Sequence, residues 1–197
     1  MISPTIDDRE EFTDPFPYFV AAQVLPSDFS LGVLEWFEDG APWQLIEAEF
    51  YEQHEFSLRH EELPEEVRFL VSYPNLNYLR NCVEQSFQVK LSEQIDVTAH
   101  KLVPGQTIRV HNDYIPGRET HRILIQLNRG WKDENGGLLI FFNSNDPTDM
   151  NRALRPEHNS CVGFEISPRS NHAVSTVYSG ERFTLVYSFY RQDDSPK

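Results

Sequence analysis

The sequence contains no run of 18 apolar residues, so it offers no stretch suited to crossing a membrane. It is also poor in cations. Its 17 Lys and Arg stand against 31 Asp and Glu, a formal charge of −14. Phosphate backbones are held by basic side chains that release counterions, so this balance argues against nucleic acid and anionic membrane as partners. It favours solubility and neutral or cationic partners. Cysteine is scarce too. Cys82 and Cys161 have no neighbouring Cys or His at zinc-finger spacing and read as buried, reduced thiols. No repeat and no low-complexity tract is present. Met1 to Glu11 lacks the basic-then-apolar order of a signal peptide, so the expected setting is cytoplasmic.

What is there suits one domain over 1–197, because 197 residues with 39% hydrophobic content can build a real core. Residues 1–15 read as loosely ordered, with a solvated charge run from Asp7 to Glu11. Residues 16–93 read as helical support. Ser27 or Asp28 can cap a helix running to about Asp39, with Leu31, Leu34, Trp36 and Phe37 on its apolar face. Trp43 to Tyr51 reads as an irregular strand. Pro64 opens a second helix with Glu65 and Glu66 in its first turn, and Pro74 interrupts it. Asn75 or Asn77 then starts another, through Leu79, Val83 and Phe87. From 94 to 191 the pattern changes to short strands between turns, namely Ile95–Leu102, Thr107–Val110, His121–Leu127, Leu138–Phe142, Cys161–Ile166, Ala173–Val177 and Phe183–Tyr190. Helices first and short strands second predict a mainly β, α+β fold built on a sandwich or barrel.

The chemistry concentrates in His111-Asn112-Asp113, His172 and Arg182. Two imidazoles and one carboxylate form the set that holds Fe(II) on one face and leaves the other open for oxygen chemistry. In extended backbone, residues two apart share a face, so His111 and Asp113 would point together. The third ligand must come from a distant strand. His172 follows the turn Ser167–Asn171 and is favoured, with His121 as the strongest competitor. Arg182, ten residues on, is a permanently charged fork that can grip the far carboxylate of a metal-chelating organic acid. Together these residues point to an enzyme consuming 2-oxoglutarate and O2.

Residues 101–191 resemble the Fe(II)/2-oxoglutarate-dependent oxygenase superfamily, in its prolyl-hydroxylase-like branch. The resemblance is carried by Pro104-Gly105, His111-Asn112-Asp113, Leu127 to Trp131, Gly136-Gly137-Leu138, His172 and Arg182-Phe183-Thr184. It implies a double-stranded β-helix, or jelly-roll, with N-terminal helices packed on one sheet. It implies His111, Asp113 and His172 as iron ligands, and Arg182, helped by Thr184, as the partner of the 2-oxoglutarate C5 carboxylate. Two family tyrosines are replaced, one by Gln126, which can still donate an amide hydrogen bond, and one by Val103. The second loss weakens the case for peptidyl-proline. An Asp at the second ligand position implies hydroxylation or another oxidative outcome rather than halogenation.

Arg122, Leu124 and Gln126 alternate onto one strand face and are the further cosubstrate candidates. An inward Arg122 needs a carboxylate partner, either a ligand or a structural one. Tyr114 and Arg118, in the Gly- and Pro-containing loop 114–120, and Arg109, in step with His111, are candidate substrate contacts. The polar stretch 143–159 is a second candidate lid. The expected activity is hydroxylation of an amino acid, peptide or small metabolite, giving succinate and CO2. A protein-modifying regulatory hydroxylase and a non-catalytic metal-binding jelly-roll are the alternatives. Oligomeric state is not encoded in any motif.

Overall fold

The structure is a computed structural model that describes residues 4–48 and 51–192. The elements run β1 (Glu10–Phe12), β2 (Tyr18–Ala22), α1 (Ser27–Asp39), β3 (Gln44–Glu47), β4 (Glu52–Ser57), a 3-10 helix (Glu65–Val71) and α2 (Tyr73–Phe87). They continue with β5 (Leu91–Leu102), β6 (Ile108–His111), β7 (His121–Gln126), β8 (Leu139–Phe142), β9 (Met150–Leu154), β10 (Ser160–Glu165), β11 (His172–Val174) and β12 (Arg182–Arg191). Eight strands form one sheet in the order β1-β2-β10-β7-β12-β5-β4-β3, and four form the other, β6-β11-β8-β9. Neighbours pair antiparallel. The expected jelly-roll with helices on one sheet is the fold observed.

Strand alternation gives the large sheet two working faces. On one face, Val97, Ala99, Ile123, Ile125, Phe183, Leu185, Tyr187 and Phe189 join α1, the 3-10 helix and α2 in one core. On the other, Leu102, Leu124, Val162, Phe164 and Val186 pack against Leu139, Phe141 and Val174 of the small sheet. Every second residue of β12 thus serves the helices, and the rest line the interior between the sheets. Glycine matters where it lets chains approach. A Cβ on Gly163 would sit 2.2 Å from the ring of Phe19, which is itself fully buried.

Several expectations over the first half are corrected. The stretch predicted as loose carries β1, paired to β2, and buries Ile6. Residues 16–93 supply β2, β3 and β4 to the large sheet besides their helices. The predicted strand from Trp43 to Tyr51 is instead the short β3, which pairs with β4 as a hairpin, and Glu49 and Phe50 lie outside the described residues. Pro74 does not interrupt a helix. It occupies the first turn of α2, where its missing N–H costs nothing. The stretch after Pro64 is 3-10. The polar stretch 143–159 contains β9, which pairs with β8. Its mostly exposed position explains why its residues lack an apolar alternation.

Two outcomes follow. Gly163→Ala should destabilise the fold by about 1–3 kcal/mol through overpacking against Phe19, read as a lowered denaturation midpoint. His121 is fully buried on the helix side of β7, 5.0 Å from the Phe87 ring, and burial pushes its pKa down to about 4. The unfolded chain takes up that proton near the ordinary value of about 6.5, so stability should fall as pH drops from there towards 4, by on the order of 3 kcal/mol from this group. Denaturation across that window should give a shallower slope for His121→Leu than for the parent.

Candidate active site

β6 ends at His111, and the chain leaves the strand there. Asp113 has φ +58, in the left-handed region that Asp tolerates better than most residues. Extended alternation therefore does not place it beside His111; a turn does. Ser170 Oγ donates to Asn112 O at 2.9 Å, and the Tyr114 N–H donates to Asn112 Oδ1 at 3.0 Å, which fixes that turn. His172 opens β11 directly opposite His111 in the ladder, with ring centroids 4.3 Å apart. One ligand atom from each of His111, Asp113 and His172 falls within 4.8 Å of the others. His121 lies on the opposite face of its sheet and is no part of this group.

The hydrogen bonds behind the imidazoles decide what they can do. His111 Nδ1 lies 2.8 Å from Arg109 O, and His172 Nδ1 lies 2.7 Å from Ser170 O. A carbonyl only accepts, so both Nδ1 atoms carry the proton and both Nε2 atoms keep a lone pair. Those lone pairs face the Asp113 carboxylate, at 3.4 Å for His111 and 3.2 Å for His172. Lone pairs opposite a carboxylate repel unless a cation lies between them. Burial pushes His172 below the ordinary imidazole range against the pull of Asp113, which favours the neutral, metal-binding form. Burial alone would raise the Asp113 carboxyl. The charge of the Arg122 guanidinium outweighs it and holds the group well below the usual carboxylate range. The donor set fits Fe(II).

Arg182 is 3% exposed. Its Nε donates to Gly137 O at 2.7 Å and its Nη1 to Thr184 Oγ1 at 2.6 Å. The Thr184 hydroxyl then donates to Gln126 Oε1 at 2.9 Å, leaving the buried Gln126 Nε2 without a partner. Among the described residues no carboxylate pairs with Arg182, and burial lowers its pKa to about 10. A buried cation with no countercharge fits an anionic ligand. The Gly-Gly turn builds this cradle. Gly136 has φ +71, and a Cβ there would lie 2.0 Å from Thr176 O; at Gly137, φ +64, a Cβ would lie 2.9 Å from Arg182 Cδ.

His111, Asp113, His172, Arg122, Leu124, Arg182 and Thr184 all border one cavity of about 240 Å³ between the sheets. Gln126, Tyr114, Arg118 and Arg109 lie outside its lining. Arg122 faces inward as predicted, but Nη1 donates to Asp113 at 2.5 Å and Nη2 donates to Glu119. It braces Asp113 rather than standing ready for cosubstrate. Tyr114 and Arg118 are exposed on their loop, outside the cavity lining. Arg109 is exposed and borders a shallow outer depression with Pro147 and Phe142. The cavity-facing position before the Pro104-Gly105 turn is Leu102, not Val103. Sequence reading missed Tyr51, Gln53 and Glu55 on one side of the cavity, because β4 is a polar strand without an apolar signature. It also passed over Thr98 and His100 of β5, although their parity with Leu102 sends them to the same face.

Residues 97–190 match the family model of the 2OG-Fe(II) oxygenase superfamily. A stretch of 103 residues, 51% of this chain, is 31% identical to Prolyl 3-hydroxylase OGFOD1 of Xenopus laevis, of which it covers 20%. The chain thus spans about a fifth of the length of the curated relatives it matches. The fold resembles a Pseudomonas putida prolyl-4-hydroxylase, with a TM-score of 0.72 and 19% identity over 89% of this chain and 93% of that one. It also resembles a Trichoplax adhaerens prolyl hydroxylase in complex with a hypoxia inducible factor oxygen degradation domain peptide fragment, with a TM-score of 0.66 and 13% identity over 88% and 83% of the two chains. These structures agree in fold, and the family-model match falls on the half that carries the site. Residues 97–190, the half of the chain that holds the site, belong to the 2OG-Fe(II) oxygenase superfamily, whose cofactors are Fe(II) and 2-oxoglutarate.

Proposed function

We propose that this chain is a dioxygenase that uses Fe(II), 2-oxoglutarate and O2 to hydroxylate an unactivated C–H bond of an amino acid, peptide or related small metabolite, releasing succinate and CO2. One observation carries this reading. A single cavity brings together three metal-binding atoms within 4.8 Å and a buried guanidinium without a countercharge. His111 and His172 would offer Nε2, and Asp113 a carboxylate oxygen, to the iron. Bound there with the keto acid, the metal would supply the oxygen chemistry that no side chain can.

The rest is done by the chain. Arg182 would take the far carboxylate of 2-oxoglutarate, with Thr184 holding the guanidinium in place and the unpartnered Gln126 Nε2 as a second donor. A charge-assisted contact of this type is worth about 1.5–3 kcal/mol, so its loss would weaken cosubstrate binding by about tenfold to over a hundredfold. Arg122 fixes the Asp113 carboxylate so that its oxygens are oriented before metal arrives. Leu102, Leu124, Leu139, Val174 and Val186 provide an apolar wall that excludes water from the reacting centre. Tyr114, Arg118 and Arg109 are left to rim contacts with an incoming substrate.

A protein-modifying regulatory hydroxylase is the second reading, favoured by the prolyl hydroxylases among the relatives. Val103, standing where the resemblance places a tyrosine, weighs against peptidyl-proline. The unpaired Arg182 weighs against a binder without turnover. The described residues hold no helix long and apolar enough to cross a membrane, and both cysteines are free and buried. A reducing, cytoplasmic setting agrees with those thiols.

Anaerobic addition of Fe(II) and 2-oxoglutarate should give a weak visible charge-transfer band, and His172→Ala should abolish both the band and iron-dependent turnover. Folded protein that gives no band would favour the binder, and undiminished turnover in the variant would move the third ligand to another histidine. Gly137→Ala should displace Arg182 and raise the KM for 2-oxoglutarate roughly tenfold, while Co(II) affinity at the three ligands stays as it was. An unaltered KM would remove Arg182 from cosubstrate binding.

A further inference from the structure

One wall of the cavity has no task in the reading above. Tyr51, Gln53 and Glu55 border it from the first-half hairpin, and His100 lies beside them on β5. Glu55 pairs across to His100, His100 to Thr184, and Thr184 to Gln126, so one inward row runs from Glu55 to the proposed cosubstrate end. The Tyr51 hydroxyl feels both the Glu55 and the Asp113 carboxylates, after burial the largest influences raising its pKa. Glu55 is therefore within electrostatic reach of the metal end.

The charges of this cavity do not balance at Glu55. Asp113 has Arg122. Among the described residues, Glu55 has no Lys or Arg, and its nearest base is His100, whose Nε2 is 3.9 Å away, too far for a hydrogen bond. Burial, with the charges of Arg122 and Arg182, drives that imidazole down to about 3, so it brings no positive charge. The contact Glu55 does have comes from a neutral amide. Gln53 Nε2 donates to Glu55 Oε2 at 2.7 Å. A carboxylate only accepts, which fixes the orientation of the Gln53 amide. Its Oε1 must point away, and that atom is buried with no partner, in a side chain 3% exposed. An orphaned buried acceptor is costly unless a donor comes to meet it.

The wall thus holds a carboxylate and an unpaired buried carbonyl oxygen, both acceptors. 2-Oxoglutarate is a dianion with no N–H to offer, so it cannot satisfy them. We propose that Gln53 and Glu55 form the recognition site for the primary substrate, and that this substrate carries a protonated amine which they bind. The net charge of −14 would draw such a cation towards the protein. A free basic amino acid and a lysine side chain of a peptide share this chemistry. The inference rests on the cosubstrate reading above.

The test starts from protein holding Fe(II) and 2-oxoglutarate without O2, so that the charge-transfer band reports that reading first. L-Lysine, n-butylamine and the capped peptide Ala-Lys-Ala are then titrated in, each against a neutral counterpart without an ammonium: hexanamide, butanol and the capped peptide Ala-norleucine-Ala. At least one amine should perturb the band and, with O2 admitted, stimulate succinate release. Its neutral counterpart should need at least tenfold higher concentration. The free amino acid or the peptide, whichever saturates, identifies the source of the amine. Glu55→Gln should erase that preference, and Gln53→Leu should weaken it. A band that forms but ignores every amine, or an amine preference that survives Glu55→Gln, would overturn this inference alone. A wild-type protein that forms no band would overturn the cosubstrate reading and this inference with it.

Discussion

The site is organised by a repulsion that needs a cation to relieve it. Two backbone carbonyls, of Arg109 and Ser170, take the Nδ1 protons of His111 and His172. Each imidazole is then left with a bare nitrogen turned towards the same carboxylate. Nothing in the two rings can change this, because the tautomers are set by the main chain. Arg122 adds to the arrangement from behind, holding Asp113 in its negative form and in place. The fold therefore keeps an electronegative triangle assembled and invests a strained aspartate backbone and a buried guanidinium in doing so.

A second imbalance, of opposite sign, lies along the same interior. Arg182 is dry and lacks an anion. The cavity thus joins an anion-seeking end at Arg182 to the metal triangle and to the acceptors of Gln53 and Glu55. An interior so divided can orient two different small molecules by charge alone, before any shape complementarity is considered. The apolar side chains between these ends keep the dielectric low and make each charge count for more.

Much of this was legible from residue order, for reasons that differ by element. Arg122, Leu124 and Gln126 were read correctly onto one face because β7 is a regular strand, where parity is a geometric necessity. His172 was found through its spacing to Arg182 and the turn before it. Asp113 was read to the right side by the wrong route, since a left-handed residue, not alternation, delivers it. That conformation leaves little trace in composition. The role of Arg122 depended on Glu119 being close enough to share it, which a strand pattern does not reveal. The strand β4 was missed because its cavity-facing residues are polar, so the segment that carries Glu55 looks like a loop. A functional wall erases the hydrophobic pattern by which strands are recognised.

The shared use of β12 sets a limit on how this chain can change. Its odd-numbered residues from Phe183 to Phe189 are greasy and face the helices, and its even-numbered ones include the guanidinium and hydroxyl of the pocket floor. Exchanging one residue for another perturbs a single face. Adding or removing one residue would invert both at once, sending Arg182 into hydrocarbon and a phenylalanine into the pocket. The strand can drift in identity, but its length is pinned by having to solve two packing problems with one period.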